Sequence, residues 1–236
     1  MDNIISYKVY GRYALFTDPI TKLGGEKCSY QIPTYQALRG ITESIYWKPT
    51  LTWIIDKVRV INRIRTQSRA AKPLDYSKGG HMLSIYTYLY DVEYQVQAHF
   101  EWNLTRDDLK SDRNENKHFF AAKRALEKGG RRDIFLGARE CQGYVEPCTF
   151  GEGAGDYDET GGLSFGMMVH GLDYPSDTGK KELSVRLWTP VMKDGVIEFI
   201  RPDECSITKK IRNMDISKPK TSGIEELGLL YGYGGE

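Results

Sequence analysis

A lysine and a histidine stand side by side at Lys117 and His118, inside the polar segment NENKHFFAAKRALEKGGRRDIFLG that covers residues 114–137. Imidazole, with a reference pKa of about 6.5, can donate or accept a proton near neutral pH. A neighbouring lysine can stabilise the charge that develops on phosphoryl oxygens. The pair therefore suits cleavage of a phosphodiester, for which the 2′-hydroxyl of RNA would supply an internal nucleophile. The same two residues are found more often on the solvated face or in the packing of an ordinary helix, so the pair alone leaves both interpretations open.

The composition is that of a globular chain without a strong overall charge. The 236 residues are 40% hydrophobic, and the formal charge of +1 means that any anionic partner must meet a local basic patch. No signal-like or membrane-spanning apolar stretch is present, which predicts a cytoplasmic protein without membrane contact. The cysteines and histidines lack the spacing of a zinc site or a disulfide framework, so reduced structural thiols and no cofactor are predicted. A metal site assembled from residues that are distant in the sequence would not show in this spacing and stays open.

Two helices are predicted to carry the residues of chemical interest. The first lies between Pro33 and Pro49, where apolar residues recur at spacings of three and four and the second proline stops the helix. Tyr46 falls in its last turn and is predicted to border the polar face. A tyrosine can help to deprotonate a hydroxyl, although a pKa of about 10 makes it a weak base alone. The second helix is predicted to follow an N-cap at Ser111 or Asp112 and to end at Gly129-Gly130, with a core stripe of Phe119, Ala122 and Leu126.

Basic side chains are concentrated in two segments. In KVRVINRIR, residues 57–65, strand alternation would place Lys57, Arg59, Arg63 and Arg65 on one face, and positions 57–72 hold six basic residues and no acidic one. Residues 113–132 hold seven basic and two acidic residues, which gives a local charge of +5. Such patches either bind phosphates or form solvated faces that pair with acids from elsewhere. The candidate phosphate ligands are Arg59, Arg63, Arg65, Lys123, Arg124, Arg131 and Arg132.

The order of the elements predicts an α+β fold of the ferredoxin-like type. A strand at residues 4–16, the first helix, a strand at 57–65, strand alternation over 81–102, the second helix and a strand near 141–148 follow the βαββαβ pattern. Residues 82–90 could form a separate strand that pairs with the rest of 81–102. Residues 151–162, GEGAGDYDETGG, are rich in glycine and acids and indicate a boundary loop that is a poor partner for nucleic acid. We predict a ferredoxin-like domain at 1–150, a small antiparallel β-sheet domain at 151–215 and a mobile tail at 216–236.

Two long segments resemble a known family. GRYALFTDPITKLGGEKCSYQIPTYQALRGITESIYWKPT and GGRRDIFLGARECQGYV are similar to segments of the CRISPR-associated RAMP superfamily, specifically the Cas five-d type of subtype I-C, and the similarity extends from about Tyr7 to Cys205. ESIYWKP and SDRNENKH match the family segments that bear its catalytic tyrosine and its lysine-histidine pair. The resemblance implies that Tyr46, Lys117 and His118 are catalytic. It also implies a ferredoxin-like domain followed by a small β-domain, and cleavage of the CRISPR repeat hairpin without a metal.

The family resemblance leaves two main hypotheses for function. In the first, the chain is an endoribonuclease that cleaves the repeat RNA, leaves a 2′,3′-cyclic phosphate and a 5′-hydroxyl, and keeps the crRNA as a subunit of a surveillance complex with other subunits. In the second, it is a non-catalytic subunit that caps the 5′ end of a guide RNA made by another enzyme. The presence of Tyr46, Lys117 and His118 favours the first. A general RNA chaperone is a more distant third hypothesis.

Overall fold

The computed structural model describes residues 3–75 and 77–215. The predicted tail at 216–236 lies outside the described residues. The strands are β1 (Ile4–Ala14), β2 (Leu51–Val60), β3 (Thr66–Ala71), β4 (Ser84–Trp102), β5 (Ile134–Phe135), β6 (Gln142–Pro147), β7 (Gly162–Ser164), β8 (Met168–Asp173), β9 (Glu182–Trp188), β10 (Val191–Lys193), β11 (Val196–Glu198) and β12 (Ile207–Asn213). The α-helices are α1 (Pro19–Lys22), α2 (Tyr35–Ile45), α3 (Glu115–Glu127) and α4 (Pro175–Thr178), and 3-10 helices cover Asp107–Asp112 and Pro202–Glu204.

The first six major elements, β1, α2, β2, β4, α3 and β6, follow the βαββαβ order. Their strands lie in the spatial order β6-β1-β4-β2, and every neighbouring pair is antiparallel. Strands 1 and 3 of the pattern are thus central and strands 2 and 4 flank them, which is the ferredoxin-like arrangement. The predicted α+β fold is confirmed, with a large antiparallel sheet and a second small sheet.

Helix α2 forms where the sequence predicted it, but it is shorter than the two prolines suggested. The Thr34 side chain accepts a hydrogen bond from the Ala37 amide and caps the N-terminus, while Leu38, Ile41 and Ile45 are buried against the sheet. The helix ends at Ile45, because Tyr46 has extended backbone angles. Tyr46 is therefore the residue at which the chain turns away from the helix.

Helix α3 begins after Asn114, whose side chain accepts from the Lys117 amide at 3.0 Å. The N-cap predicted at Ser111 or Asp112 is wrong, because these residues end the preceding 3-10 helix. The core stripe is confirmed: Ala122 and Leu126 are buried, and Phe119 packs against the core. At the C-terminus, Gly130 N donates to Ala125 O and Gly129 N donates to Leu126 O. These two bonds form a Schellman motif, which requires the positive φ of Gly129.

Two strand predictions need correction. The segment 57–65 is not one strand, because β2, which starts at Leu51, ends at Val60 and residues 61–65 lie outside any strand. The basic residues at 57, 59, 63 and 65 therefore do not share one strand face. The strand alternation predicted at 81–102, with a paired strand at 82–90, is observed as the single long strand β4 from Ser84 to Trp102, whose first six residues pair with β3.

The chain after residue 150 contributes to both sheets. Strand β11 pairs with β2 and is followed by β10 and β7, so these three strands extend the large sheet. Strands β12, β9 and β8 form the small sheet, which lies beside α2, where Tyr35 stacks on His170 at 4.3 Å. The sequence predicted one small sheet for all the strands after residue 150. This prediction is wrong for β7, β10 and β11, which belong to the large sheet. The division into domains at residue 150 stays a prediction.

Candidate active site

Tyr46 is buried between the end of α2 and the start of α3. Only 2% of the residue is exposed, so the predicted location at the border of the polar face is wrong. Its amide donates to Thr42 O, and its carbonyl oxygen accepts from Trp53 Nε1 at 2.6 Å. These two hydrogen bonds fix the backbone at the turn. The hydroxyl group lies 2.7 Å from His118 Nδ1. The chain thus brings together two candidate residues that are separated by 72 positions.

His118 lies in the first turn of α3 and is fully buried. Its Nε2 lies 2.8 Å from the backbone oxygen of Asp112. Because a carbonyl oxygen can only accept, Nε2 carries a proton and Nδ1 of the neutral ring accepts from the Tyr46 hydroxyl. The edges of Trp102 and Phe100 approach the imidazole ring at 5.7 and 6.4 Å between ring centroids. The ring is therefore held in one orientation and one tautomer.

Lys117 points outward from the same turn and forms an ion pair with the Asp112 carboxylate. This hydrogen bond raises the pKa of Lys117 and, together with a 2.8 Å bond from the Thr50 hydroxyl, lowers the pKa of Asp112 to about 2. The lysine is therefore charged and the carboxylate ionised at neutral pH. Asp112 was considered in the sequence only as an N-cap. Its contacts with Lys117 and His118 come from the 3-10 turn, for which the sequence carries no clear pattern.

Arg131 lies over the aromatic ring of Tyr46. Its guanidinium carbon lies 4.6 Å from the centroid of the Tyr46 ring, within the range of a cation–π interaction. The Arg131 and Arg132 amides donate to Ser44 O, and the Arg131 amide also donates to Ile45 O, so the glycine turn after α3 satisfies the last carbonyls of α2. Burial raises the pKa of the Tyr46 phenol, while the positive charge of Arg131 opposes that shift.

The prediction that Arg59 binds phosphate is wrong, because Arg59 is already paired inside the protein. Its side chain is almost fully buried and forms a bidentate contact with Asp158, at 2.7 and 2.8 Å from Nη2, and it also donates to the backbone oxygens of Glu152 and Gly153. The acidic, glycine-rich loop predicted as a boundary thus folds over β2 and neutralises this arginine. The alternative that the sequence left open, a cation paired with an acid from elsewhere, is the correct one for Arg59.

The other predicted phosphate ligands lie in different environments. Arg65 forms a solvent-exposed ion pair with Asp91 at 2.8 Å, and Arg63 is exposed in the loop after β2. Lys123 and Arg124 are exposed on α3, with the Lys123 ammonium 5.5 Å from the Phe119 ring. The exposed side chains of Arg131 and Arg132 flank a groove formed by the glycine turn and β6, together with Lys128, Tyr144 and Val145. The cations nearest the Tyr46–His118 pair therefore lie on the glycine turn and on α3.

Other candidate groups lie outside the site. On β4, His99 Nδ1 lies 2.8 Å from the Asp56 carboxylate. Cys28, Cys141, Cys148 and Cys205 are free thiols. Within the part of the chain that the structure describes, no three His, Cys, Asp or Glu side chains gather as a possible metal site. Across the same residues, no helix has the length and apolarity required to cross a bilayer.

The fold and the site together define a ferredoxin-like α+β protein with a buried tyrosine-histidine pair and a basic rim. The chain belongs to the family described as CRISPR-associated protein (Cas_Cas5), because the Cas5d model of that family matches residues 4–200. This match covers all the site residues named above. It confirms the resemblance seen in the sequence segments around Tyr46 and around Lys117-His118.

Proteins with related sequences and structures agree with this assignment. A protein of Mannheimia succiniciproducens named CRISPR pre-crRNA endoribonuclease Cas5d is 33% identical over 151 residues, which cover 55% of this chain and 65% of that protein. The chain thus aligns with slightly less than two thirds of that relative. A Thermus thermophilus protein of the same name is 28% identical over 193 residues, or 77% of this chain and 79% of the relative.

Two solved structures have the same fold. One is described as a CRISPR-associated protein and the other as a functionally uncharacterized protein from Streptococcus mutans. Each is 37% identical to this chain and aligns with 88% of it and with 97% of the solved chain, with TM-scores of 0.74 and 0.72. The likeness therefore extends over nearly the whole length of both structures.

Proposed function

We propose that this chain is an endoribonuclease that cleaves the repeat hairpin of CRISPR precursor RNA without a metal ion. The observation that carries the proposal is the hydrogen-bonded chain from Tyr46 through His118 to Asp112, placed beside a charged lysine. Family membership and the names of the two relatives support the choice of RNA as substrate. The nucleophile is the 2′-hydroxyl upstream of the scissile phosphate, which attacks phosphorus as the bond to the 5′-oxygen breaks.

The tyrosine and histidine act together as the base. Because burial raises the pKa of the Tyr46 phenol, a free phenolate is disfavoured at neutral pH. The neutral ring of His118 accepts from the phenol through Nδ1, so it can take the phenol proton while the tyrosine oxygen takes the proton of the 2′-hydroxyl. The histidine thereby supplies basicity that an isolated tyrosine lacks.

Lys117 acts on the phosphate. Its ammonium group is exposed, close to His118 in the chain, and able to stabilise negative charge on the phosphoryl oxygens as the 2′-oxygen attacks. The 5′-oxygen that leaves takes a proton from this ammonium or from water, which balances the reaction. The products are a 2′,3′-cyclic phosphate on the upstream fragment and a 5′-hydroxyl on the downstream fragment.

The RNA backbone must displace Arg131 to reach the tyrosine. Arg131 lies over the Tyr46 ring, but its side chain is exposed and can turn toward a phosphate. Arg132, Lys123 and Arg124 extend the same basic rim, and Arg63 and Arg65 supply more distant phosphate contacts. We also propose that the crRNA stays bound in a surveillance complex with other subunits. Four free thiols fit the reducing conditions of the cytoplasm, in which we place the protein.

The burial of the pair favours a second candidate function. Tyr46 is 2% exposed and His118 is 0% exposed, which suits a non-catalytic subunit that only caps the 5′ end of a guide RNA. The two functions differ in one measurement. The purified chain is incubated with a labelled repeat hairpin and EDTA, and the products are separated by denaturing electrophoresis. Site-specific cleavage supports the nuclease, whereas tight binding without cleavage supports the capping subunit.

Substitution of His118 tests the assignment of the site. His118→Ala should lower single-turnover cleavage by on the order of 10²-fold or more while the hairpin stays bound. The matched control is His99→Ala, which removes another histidine paired with an aspartate but lies outside the site. Because His118 is buried, urea unfolding of each variant confirms that it is folded in the assay. Equal cleavage by wild type and His118→Ala would contradict the assignment.

A further inference from the structure

We propose that Asp112 is a positioning residue of this site, which sets the tautomer of His118, holds Lys117 in place and stabilises the imidazolium that forms when His118 takes a proton. The inference rests on the proposed function, because it assigns a role within the same reaction. Asp112 does not touch the reacting atoms. It acts through Lys117 and His118, from the last residue of the 3-10 helix that precedes α3.

Two different atoms of Asp112 contact the histidine. The backbone oxygen accepts from His118 Nε2 at 2.8 Å, and the carboxylate oxygen Oδ2 lies 3.3 Å from the same nitrogen. The backbone contact keeps the proton on Nε2, so Nδ1 is left free to accept from Tyr46. The carboxylate supplies a negative charge close to the ring that becomes positive during the reaction.

The same carboxylate joins three segments of the chain. Oδ2 accepts from the hydroxyl of Thr50, a buried residue just before β2, at 2.8 Å, and Oδ1 pairs with Lys117 on α3. These donors keep the group ionised, and the pKa of Asp112 is lowered to about 2. One residue thus fixes the distance between the strand that follows Tyr46 and the helix that carries Lys117 and His118.

The charges around His118 make the loss of Asp112 measurable. Among the described residues, Asp112 is the acidic side chain within ion-pair distance of the imidazole. The other charged groups near the Tyr46–His118 pair are cations, namely Lys117, Arg131 and Arg124, and the packed rings of Phe100 and Trp102 are neutral. Asp112→Asn leaves these cations beside the imidazole and removes the carboxylate that stabilises its positively charged form.

Asp112→Asn removes the charge and keeps the shape. Because the backbone oxygen still holds the tautomer, we expect the rate to fall by about 10-fold, less than for loss of the histidine itself. The carboxylate that stabilises the positively charged imidazolium is then lost. The acidic limb of the pH–rate profile should therefore shift downward by about one pH unit.

Two controls separate this role from general stability. Asp108→Asn changes another aspartate of the same 3-10 helix, which pairs with Arg106 and does not contact the site, so neither rate nor pH profile should change. Thr50→Val removes the hydroxyl that binds the carboxylate but leaves the charge, so the acidic limb should stay where it is in wild type. Urea unfolding of each variant shows whether the protein is folded across the pH range.

The deciding experiment is single-turnover cleavage by the full chain across pH, combined with a double-mutant cycle of Asp112→Asn and His118→Ala. Asp112→Asn should lower the rate in the wild-type background and have no further effect when His118 is absent. An unchanged acidic limb, or an equal loss in both backgrounds, would overturn the proposal. If the His118→Ala rate is too slow to measure, the acidic limb alone decides. Failure of wild type to cleave would instead contradict the proposed function.

Discussion

Replacing Tyr46 by phenylalanine removes one hydroxyl group from the buried site and changes little else. That hydroxyl donates to His118 Nδ1 at 2.7 Å, so the substitution breaks the proton path and leaves a buried acceptor without a partner. We expect cleavage to fall by on the order of 10²-fold, because the pair that acts as base is lost. Binding of the repeat hairpin should change little.

The stability cost can be estimated and separated from the catalytic loss. A buried acceptor without its donor costs about 1–3 kcal/mol, against a total stability of about 5–15 kcal/mol for a typical domain. Even a remaining 2 kcal/mol keeps about 30 folded molecules for each unfolded one. Unfolding therefore accounts for only a few per cent of lost activity, far less than the expected 10²-fold.

Tyr7→Phe provides a matched control. The Tyr7 hydroxyl is also buried and lies 2.7 Å from Thr42 Oγ1, but it is not part of the Tyr46–His118 pair. Both variants should lose similar stability in urea unfolding, and only Tyr46→Phe should lose single-turnover cleavage. A wild-type rate for Tyr46→Phe, or an equal loss in both variants, would refute the assignment of Tyr46 as part of the base.

Three further predictions concern charge. Lys117→Ala should lower cleavage by on the order of 10²-fold without loss of hairpin binding. Electrophoresis measures the cleavage and a binding titration measures the affinity. Unaltered cleavage would show that the lysine has no part in the mechanism. Replacing Arg63 and Arg132 together by glutamine should weaken RNA binding. If each arginine binds single-stranded RNA, the slope of log affinity against log salt should fall by roughly 0.7 per lost contact. An unchanged slope would show that both arginines have other roles. The depressed pKa of Asp112 contributes stability at neutral pH that is lost as pH falls through about 5 to 2, so wild type should lose its advantage over Asp112→Asn in that range. Urea unfolding at several pH values measures this difference, and an advantage that does not shrink between pH 5 and pH 2 would contradict it.

The sequence predicts the fold through local patterns. The spacing of Leu38, Ile41 and Ile45, and that of Ala122 and Leu126, marks the buried sides of the two helices, because those sides pack on the sheet. The order of strands and helices then leaves few topologies, and the ferredoxin-like one is observed. Alternation failed at 57–65, since β2 ends at Val60 and residues 61–65 lie outside any strand.

The geometry of the site depends on contacts that local patterns do not contain. Residue type and family resemblance identify Tyr46, Lys117 and His118, but their burial and hydrogen bonds follow from the packing of α2 against α3. Arg59 was misassigned because its partner, Asp158, is 99 residues away in a loop that folds over the sheet. Asp112 was missed as part of the site because its role arises from a short 3-10 helix, where the sequence has no periodic pattern.

A single 2′-deoxy substitution upstream of the scissile phosphate tests the central claim most directly. It removes the attacking atom and leaves the hairpin and its phosphates intact. We predict that the substituted RNA binds but is not cleaved, and that normal RNA is cleaved in EDTA to a 2′,3′-cyclic phosphate and a 5′-hydroxyl. Efficient cleavage of the deoxy substrate would contradict the account, because it requires a nucleophile other than the 2′-hydroxyl. Activity that EDTA abolishes and added Mg²⁺ restores would also contradict it, because that result requires a metal ion.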